Sequence, residues 1–166
     1  RRMTRVLEIM RQSATIPLEH PVRSMGGLIG GEAKRLTAHA AQKKDICGPV
    51  FQKAITYAMA VLEVNASMGL IVAAPTAGSS GVVPGLLLAL QETFHISNQR
   101  LIDGLFNAGA IGYLAMRNAT VAGAVGGCQA EVGVAAAMAA SAAVELMDGE
   151  PEQCLSAAST VLMNML

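Results

Sequence analysis

Aromatic residues are scarce: the 166 residues include no Trp, two Tyr and three Phe, 3% in all. The apolar mass is Ala, Val, Leu, Ile and Met, which favours packed helices over a β-sandwich. Cysteine is scarce too, and three Cys do not frame a secreted disulfide scaffold; a reducing, cytoplasmic setting is expected. Charged residues make up 14% against 52% hydrophobic, which excludes intrinsic disorder. The formal net charge is zero, which argues against general nucleic-acid binding. Residues 64–91 carry no charge, but Asn65, Ser67 and the run Pro75-Thr76-Ala77-Gly78-Ser79-Ser80-Gly81 interrupt them. Irregular polar backbone of that kind does not face lipid. No basic start followed by an apolar run and a cleavage site opens the chain, so a soluble protein without membrane contact is expected.

What is present is organised. Residues 1–53 hold ten Lys/Arg against four Asp/Glu, a net of +6, and residues 54–166 hold two against eight, a net of −6. The split reads as a solvated outer layer or as a basic surface offered to a partner. One domain spans 1–166, and its pattern predicts an all-α fold, a single helical domain with glycine-rich loops between helices. A short helix from Thr4 to about Ser13 is expected, followed by an extended linker over 16–21, because each Pro disfavours helix at the residue before it. A helix over 32–42 follows. Pro49 opens a longer one to about Asn65, with Phe51, Ile55, Ala58, Met59 and Leu62 on its apolar face. Further helices are expected over 83–94, with Pro84 near the start, over 97–117 capped by Ser97, and over 130–147. Pro151 begins the last, with Glu150 and Glu152 suited to its positive end. That helix continues through Leu155, Val161, Leu162, Met163, Met165 and Leu166 without Gly or Pro to end it, and Arg1 is no natural start. Both ends are expected to be cut.

Three glycine-rich stretches stand out. The first, residues 24–31 (SMGGLIGG), runs into a helix; bare backbone N–H groups there suit a carboxylate or phosphate, and an ordinary turn is the competing reading. It is neither a P-loop nor a dinucleotide fingerprint. The second, residues 73–81 (AAPTAGSSG), offers the hydroxyls of Thr76, Ser79 and Ser80 and open backbone at Gly78 and Gly81. It reads as a ligand loop or as a buried inter-helix loop that satisfies itself, and it carries no nucleophile elbow. The third, residues 122–133 (AGAVGGCQAEVG), follows the small-residue loop 118–127. It sets Cys128, with Gln129 and Glu131, at a helix start, where the dipole favours a thiolate. Cys128 reads as a metal ligand, a nucleophile or a small core residue. Cys47 and Cys154 are distant and form no CxxC motif. His20, His39 and His95 are isolated and read as structural or solvated, and the Met residues as core filler.

In this order the three loops resemble those of the iron–sulfur-dependent L-serine dehydratases (L-serine ammonia-lyases), specifically the α chain or α domain. The matching pieces are SMGGLIGGEAKRL, EVNASMGLIVAAPTAGSSGVVPG and GAIGYLAMRNATVAGAVGGCQAEVGVAAAMAASAAVELMDGEPEQ, nearly all of 24–166. The resemblance implies an all-helical domain and a four-iron four-sulfur cluster held by three Cys with one iron open. Such an iron acts as a Lewis acid on the substrate hydroxyl, and a base removes the α-proton without pyridoxal phosphate. It matches Cys128 to the first cluster ligand and puts the other two beyond Leu166, so this chain alone is expected to lack the cluster and to be inactive. It brings Thr76, Gly78, Ser79 and Ser80 beside L-serine, and Ser24, Gly26 and Gly27 to its α-carboxylate. Many relatives carry Cys at position 80 and Asn at 77, where this chain has Ser80 and Ala77. The general base is unassigned, with the companion β domain its candidate source. A β subunit or β domain is the implied partner, in a homo- or hetero-oligomer, with the basic N-terminal layer as its candidate docking surface. Two other readings stand beside it: a cysteine desulfidase relative, and a non-catalytic helical oligomerisation module that keeps the loops for structure.

Overall fold

A computed structural model describes residues 1–42 and 47–165. Leu166, which the sequence pattern assigns to the last helix, lies outside the described residues. Among those residues there are seven helices and no strand: α1 (Arg2–Glu19), α2 (Glu32–Ala40), α3 (Pro49–Ala66), α4 (Val82–Phe94), α5 (Asn98–Asn118), α6 (Gly123–Leu146) and α7 (Pro151–Met165). The all-α expectation holds.

The most apolar segment becomes the centre. Along α4, Val83, Pro84, Gly85, Leu87, Leu88, Ala89 and Leu90 are all buried, because the helix packs on α1, α3, α5 and α6. Leu7 and Met10 from α1, Tyr57 and Val61 from α3, Leu101 and Leu105 from α5, and Val134 and Met138 from α6 close around it. A fully buried Leu such as Leu87 contributes roughly 1.5–3 kcal/mol by leaving water. α6 is the one described helix long and apolar enough by composition to cross a membrane. Here it packs against α4, α5 and α7.

Three local expectations are corrected. The first helix does not stop at Ser13 but runs to Glu19 with Pro17 inside it. The Pro17 ring is fully buried, only one ladder hydrogen bond is lost so close to the end, and the His20 N–H still closes on the Ile16 carbonyl at 2.9 Å. Packing outweighs the pre-proline preference.

The second correction is the face of α3. Tyr57, Ala60 and Val61 point inward, whereas Phe51 is 54% exposed and Ile55 is exposed too. The cause is a close crossing with α4: a Cβ at Gly81 would lie 2.6 Å from the Ala58 carbonyl oxygen, and one at Gly85 2.8 Å from that of Ala54. Only small residues fit such an approach, so the large side chains one step around the helix are left outside. Ile55 and Met59 instead line a groove of about 510 Å³ with Leu36 and His39.

The third is the loop assigned to 118–127. Only 119–122 are non-helical, since residues 123–126 already form a turn of α6. Gly127 interrupts that helix at φ 80°, ψ 166°, a conformation open to Gly alone. Cys128 therefore begins a fresh helical run. The remaining boundaries agree within two residues. Ser97 caps α5 by accepting from the Arg100 N–H, and Pro49 stands at the start of α3.

Candidate functional site

The three motif loops gather at one end of the bundle, with the C-terminus of α3 as the hub. The Met25 N–H donates to the Ala66 carbonyl at 3.2 Å, and Asn65 Nδ2 donates to the Ala77 carbonyl at 3.0 Å. Those bonds seat residues 24–31 and 73–81 on the same helix end. From α6, Glu131 receives the Thr76 hydroxyl on Oε1. The chain thus joins segments separated by about a hundred residues.

Within the first loop Ser24 serves the backbone: its Oγ accepts from the Ile29 N–H at 3.0 Å, and its carbonyl accepts from the Gly27 N–H at 2.9 Å. Gly27 sits at φ 71°, where a side chain would be strained. Gly26 is exposed, and a Cβ there would meet nothing within 4 Å, so its backbone is open. The start of α2 is taken by the protein's own carboxylates. The Ala33 N–H donates to Glu63 Oε1 at 2.8 Å, and the Gly30 N–H to Glu32 Oε2 at 2.6 Å. Backbone N–H groups of Glu32 itself and of Gly30, then Arg35, hold the Glu32 carboxyl below its ordinary range. Glu63 is wholly buried on α3, and its Oε2 has no hydrogen-bond partner among the described residues.

In the second loop, where the Ala74–Pro75 peptide is cis, the hydroxyls divide. Ser79 and Ser80 are each 2% exposed. Ser79 Oγ donates to the Ala74 carbonyl at 3.3 Å and Ser80 Oγ to that of Ala77 at 2.7 Å. Both hold the loop's shape and turn away from solvent. Thr76 is partly exposed and Gly78 exposed, so these two form the loop's outward face.

In the third, Cys128 is exposed at the start of the helical run that follows Gly127. Cys128, Gln129 and Ala130 form the first turn of that run. Gln129 Nε2 donates to the Met165 carbonyl at 2.9 Å, which holds the end of α7 beside the Cys128 turn.

A family model described as Serine dehydratase alpha chain matches residues 1–166. The chain belongs to the serine dehydratase alpha chain family. It is 47% identical over 160 residues, 96% of its length and 53% of the relative's, to "Probable L-serine dehydratase, alpha chain" of Bacillus subtilis (strain 168). It is 43% identical over 166 residues, 100% of its length and 57% of the relative's, to "L-serine dehydratase, alpha chain" of Peptoniphilus asaccharolyticus. Over 134 residues, 80% of the chain and 29% of the relative, it is 40% identical to "L-serine dehydratase" of Helicobacter pylori (strain ATCC 700392 / 26695). The chain spans about half the length of the alpha chains it matches.

The iron–sulfur cluster expected from the sequence resemblance needs more ligands than the described residues bring together. Cys128 has the exposure and the helix-start setting of a ligand. Cys154 is buried on α7, Cys47 precedes α3, and no group of three His, Cys, Asp or Glu among the described residues could hold a metal ion. One thiolate does not make a cluster site, so the described residues do not fit the whole group. A separate cleft of about 690 Å³, lined by Phe106, Asn107, Ile111, Ser141, Glu145 and Cys154, is not this site. Along α6, Ser141 stands thirteen residues beyond Cys128, or about 20 Å by helix rise.

Glu131, which the sequence sets beside Cys128 and Gln129 at a helix start, is the residue to which sequence reasoning gave no role. It was visible only as the third residue after Cys128, a spacing that puts both side chains on one helix face. Nothing in the sequence announced its bond to Thr76.

Proposed function

We propose that this chain is the catalytic α portion of an iron–sulfur L-serine dehydratase, a lyase of amino-acid degradation that converts L-serine to pyruvate and ammonia. The observation that carries this reading is the Thr76–Glu131 hydrogen bond, which joins the loop of residues 73–81 to the helix turn bearing Cys128. In the net reaction L-serine loses its α-proton and its hydroxyl as water. The resulting aminoacrylate tautomerises to an imine, and water releases pyruvate and ammonia. The open backbone of Gly26, the exposed Gly78 and the outward face of Thr76 are the groups this chain offers a small polar amino acid. Cys128 is proposed as one ligand of a four-iron four-sulfur cluster in the complete enzyme, the other two coming from outside the described residues. A β subunit or β domain is the proposed partner within an oligomer, and the cytoplasm the proposed location. The Gln129–Met165 bond supports this ligand arrangement, since it keeps the end of α7 against the Cys128 turn.

The test is anaerobic iron and sulfide reconstitution of the full-length enzyme with its partner, reading iron per chain and pyruvate from L-serine. Wild type should bind iron and turn over, and Cys128→Ser should lose both while keeping its helical circular dichroism. Normal iron and rate in Cys128→Ser would remove the ligand assignment. Sulfide released from L-cysteine, without pyruvate from L-serine, would move the reading to a desulfidase.

A further inference from the structure

The Glu131 carboxylate is set among backbone rather than cations. Among the described residues it forms no ion pair. A Cβ at Gly78 would lie 2.5 Å from its Oε1, and one at Gly123 would lie 2.5 Å from its Oε2. The carboxylate therefore lies over two bare glycines, one from the loop of residues 73–81 and one from the first turn of α6. Its hydrogen-bond donor is the Thr76 hydroxyl. The Thr76 hydroxyl is the donor to Glu131 Oε1, and a hydroxyl has a single proton to give. Ser79 Oγ lies 3.3 Å from the Thr76 oxygen and gives its own proton to the Ala74 carbonyl, so what Thr76 has left to show a ligand is lone pairs. It can then receive an N–H from a ligand but cannot donate to a carboxylate or a hydroxyl oxygen.

We propose that Glu131 is a positioning residue that holds Thr76 as a hydrogen-bond acceptor for the α-ammonium of an amino-acid substrate, and fixes the distance between that loop and the Cys128 turn. This rests on the dehydratase reading above. A neutral threonine free to rotate would accept and donate indifferently, whereas a committed one selects a cationic nitrogen. The bond pairs a charged acceptor with a hydroxyl, a class strong enough that its loss changes binding about 10- to 100-fold.

The experiment uses the full-length reconstituted enzyme with its partner. Glu131→Leu should raise KM for L-serine about 10- to 100-fold with kcat within about threefold of wild type, because a contact equal in ground and transition states is removed. Thr76→Val, which also deletes the accepting oxygen, should raise KM at least as much, and the double variant should be no worse than Thr76→Val alone, since Glu131 acts through Thr76. Glu131→Gln keeps an accepting oxygen and should recover KM to within about threefold of wild type. An unchanged KM in Glu131→Leu, additive losses in the double variant, or a fall in kcat at constant KM would overturn the assignment. Amide hydrogen exchange over residues 74–81 reads the same bond without turnover. It should quicken about tenfold in Glu131→Leu and stay unchanged in Glu131→Gln; equal protection in Glu131→Leu and wild type would also overturn it. Wild-type enzyme without activity on L-serine, but with loosened exchange in Glu131→Leu, would instead sink the dehydratase reading and leave the Glu131 anchor standing.

Discussion

The Tyr57 hydroxyl donates to Glu92 Oε1 at 2.5 Å, and Lys53 Nζ lies 2.8 Å from Oε2, so one carboxylate ties α3 to α4 from two sides. Burial and, after it, the Glu92 carboxylate push the Tyr57 hydroxyl above its usual range. For Glu92 burial acts upward, but the hydrogen bonds from Lys53 and Tyr57 outweigh it and hold the carboxyl low. The signs follow by linkage. A carboxyl with a depressed folded pKa adds stability above its ordinary value near 4.5, and that stability is lost as pH falls through the folded value. A tyrosine with a raised pKa adds stability below its ordinary value of 10.0, lost as pH climbs beyond it. Tyr57→Phe should therefore cost about 1 kcal/mol at pH 7, less than a fully buried charged bond because the pair is partly in water. The deficit should shrink below about pH 4 and again above about pH 10. Urea midpoints from pH 3 to 11 read this directly, and a deficit constant across that range would exclude the charge-assisted bond as its source.

At the level of elements, the α3–α4 crossing decides which side of each helix is inside. The Ala54 carbonyl oxygen would stand 2.8 Å from a Cβ on Gly85, and a backbone atom cannot swing aside as a side chain would. Gly85→Ala should thus destabilise the fold by about 1–3 kcal/mol through overpacking, although alanine is the better helix former. A rise in Tm for this variant would mean the crossing is looser than described. The same crossing marks where the sequence stopped being legible. The α4 helix, the Ser97 cap and the Pro49 and Pro151 starts were readable because each has a local cause. The inward face of α3 was not, since helical periodicity finds a stripe of Phe51, Ile55, Ala58, Met59 and Leu62 but cannot say that the neighbour packs on Ala58 and Ala54 rather than on the large side chains. Pro17 misled for a related reason, because its burial is tertiary. At the site, the three loops were legible as sequence, and so was the placing of Cys128 at a helix start. Which hydroxyls turn inward at Ser79 and Ser80, and which carboxylate reaches Thr76 from fifty-five residues away, depend on long-range packing and leave no local pattern.

At the scale of the whole molecule, the end that carries the motifs is unusually apolar. Leu28 is 92% exposed, Met25 81%, and Met68 and Val125 79% each. All four lie on the segments brought together by the Met25–Ala66, Asn65–Ala77 and Thr76–Glu131 bonds. Exposed apolar side chains are ordinary when scattered but promote association when they share a surface. The molecule also divides its charge, +6 over residues 1–53 and −6 over 54–166, so two routes to self-association compete. They respond oppositely to salt. Head-to-tail pairing of charged halves weakens once the Debye length falls to about 4–5 Å near 0.5 M salt, whereas contact through the loop end persists or strengthens, most of all in sulfate. The 166-residue chain should therefore associate with rising concentration, and association should survive 0.5 M sodium sulfate. Replacing Leu28 and Met68 together by Ser should cut association at least by half while moving Tm by no more than about 2 °C, because neither side chain is in the core. Sedimentation velocity at two salt concentrations separates the routes. Dissociation by salt, with the double variant indistinguishable from wild type, would assign the contact to the charged halves instead.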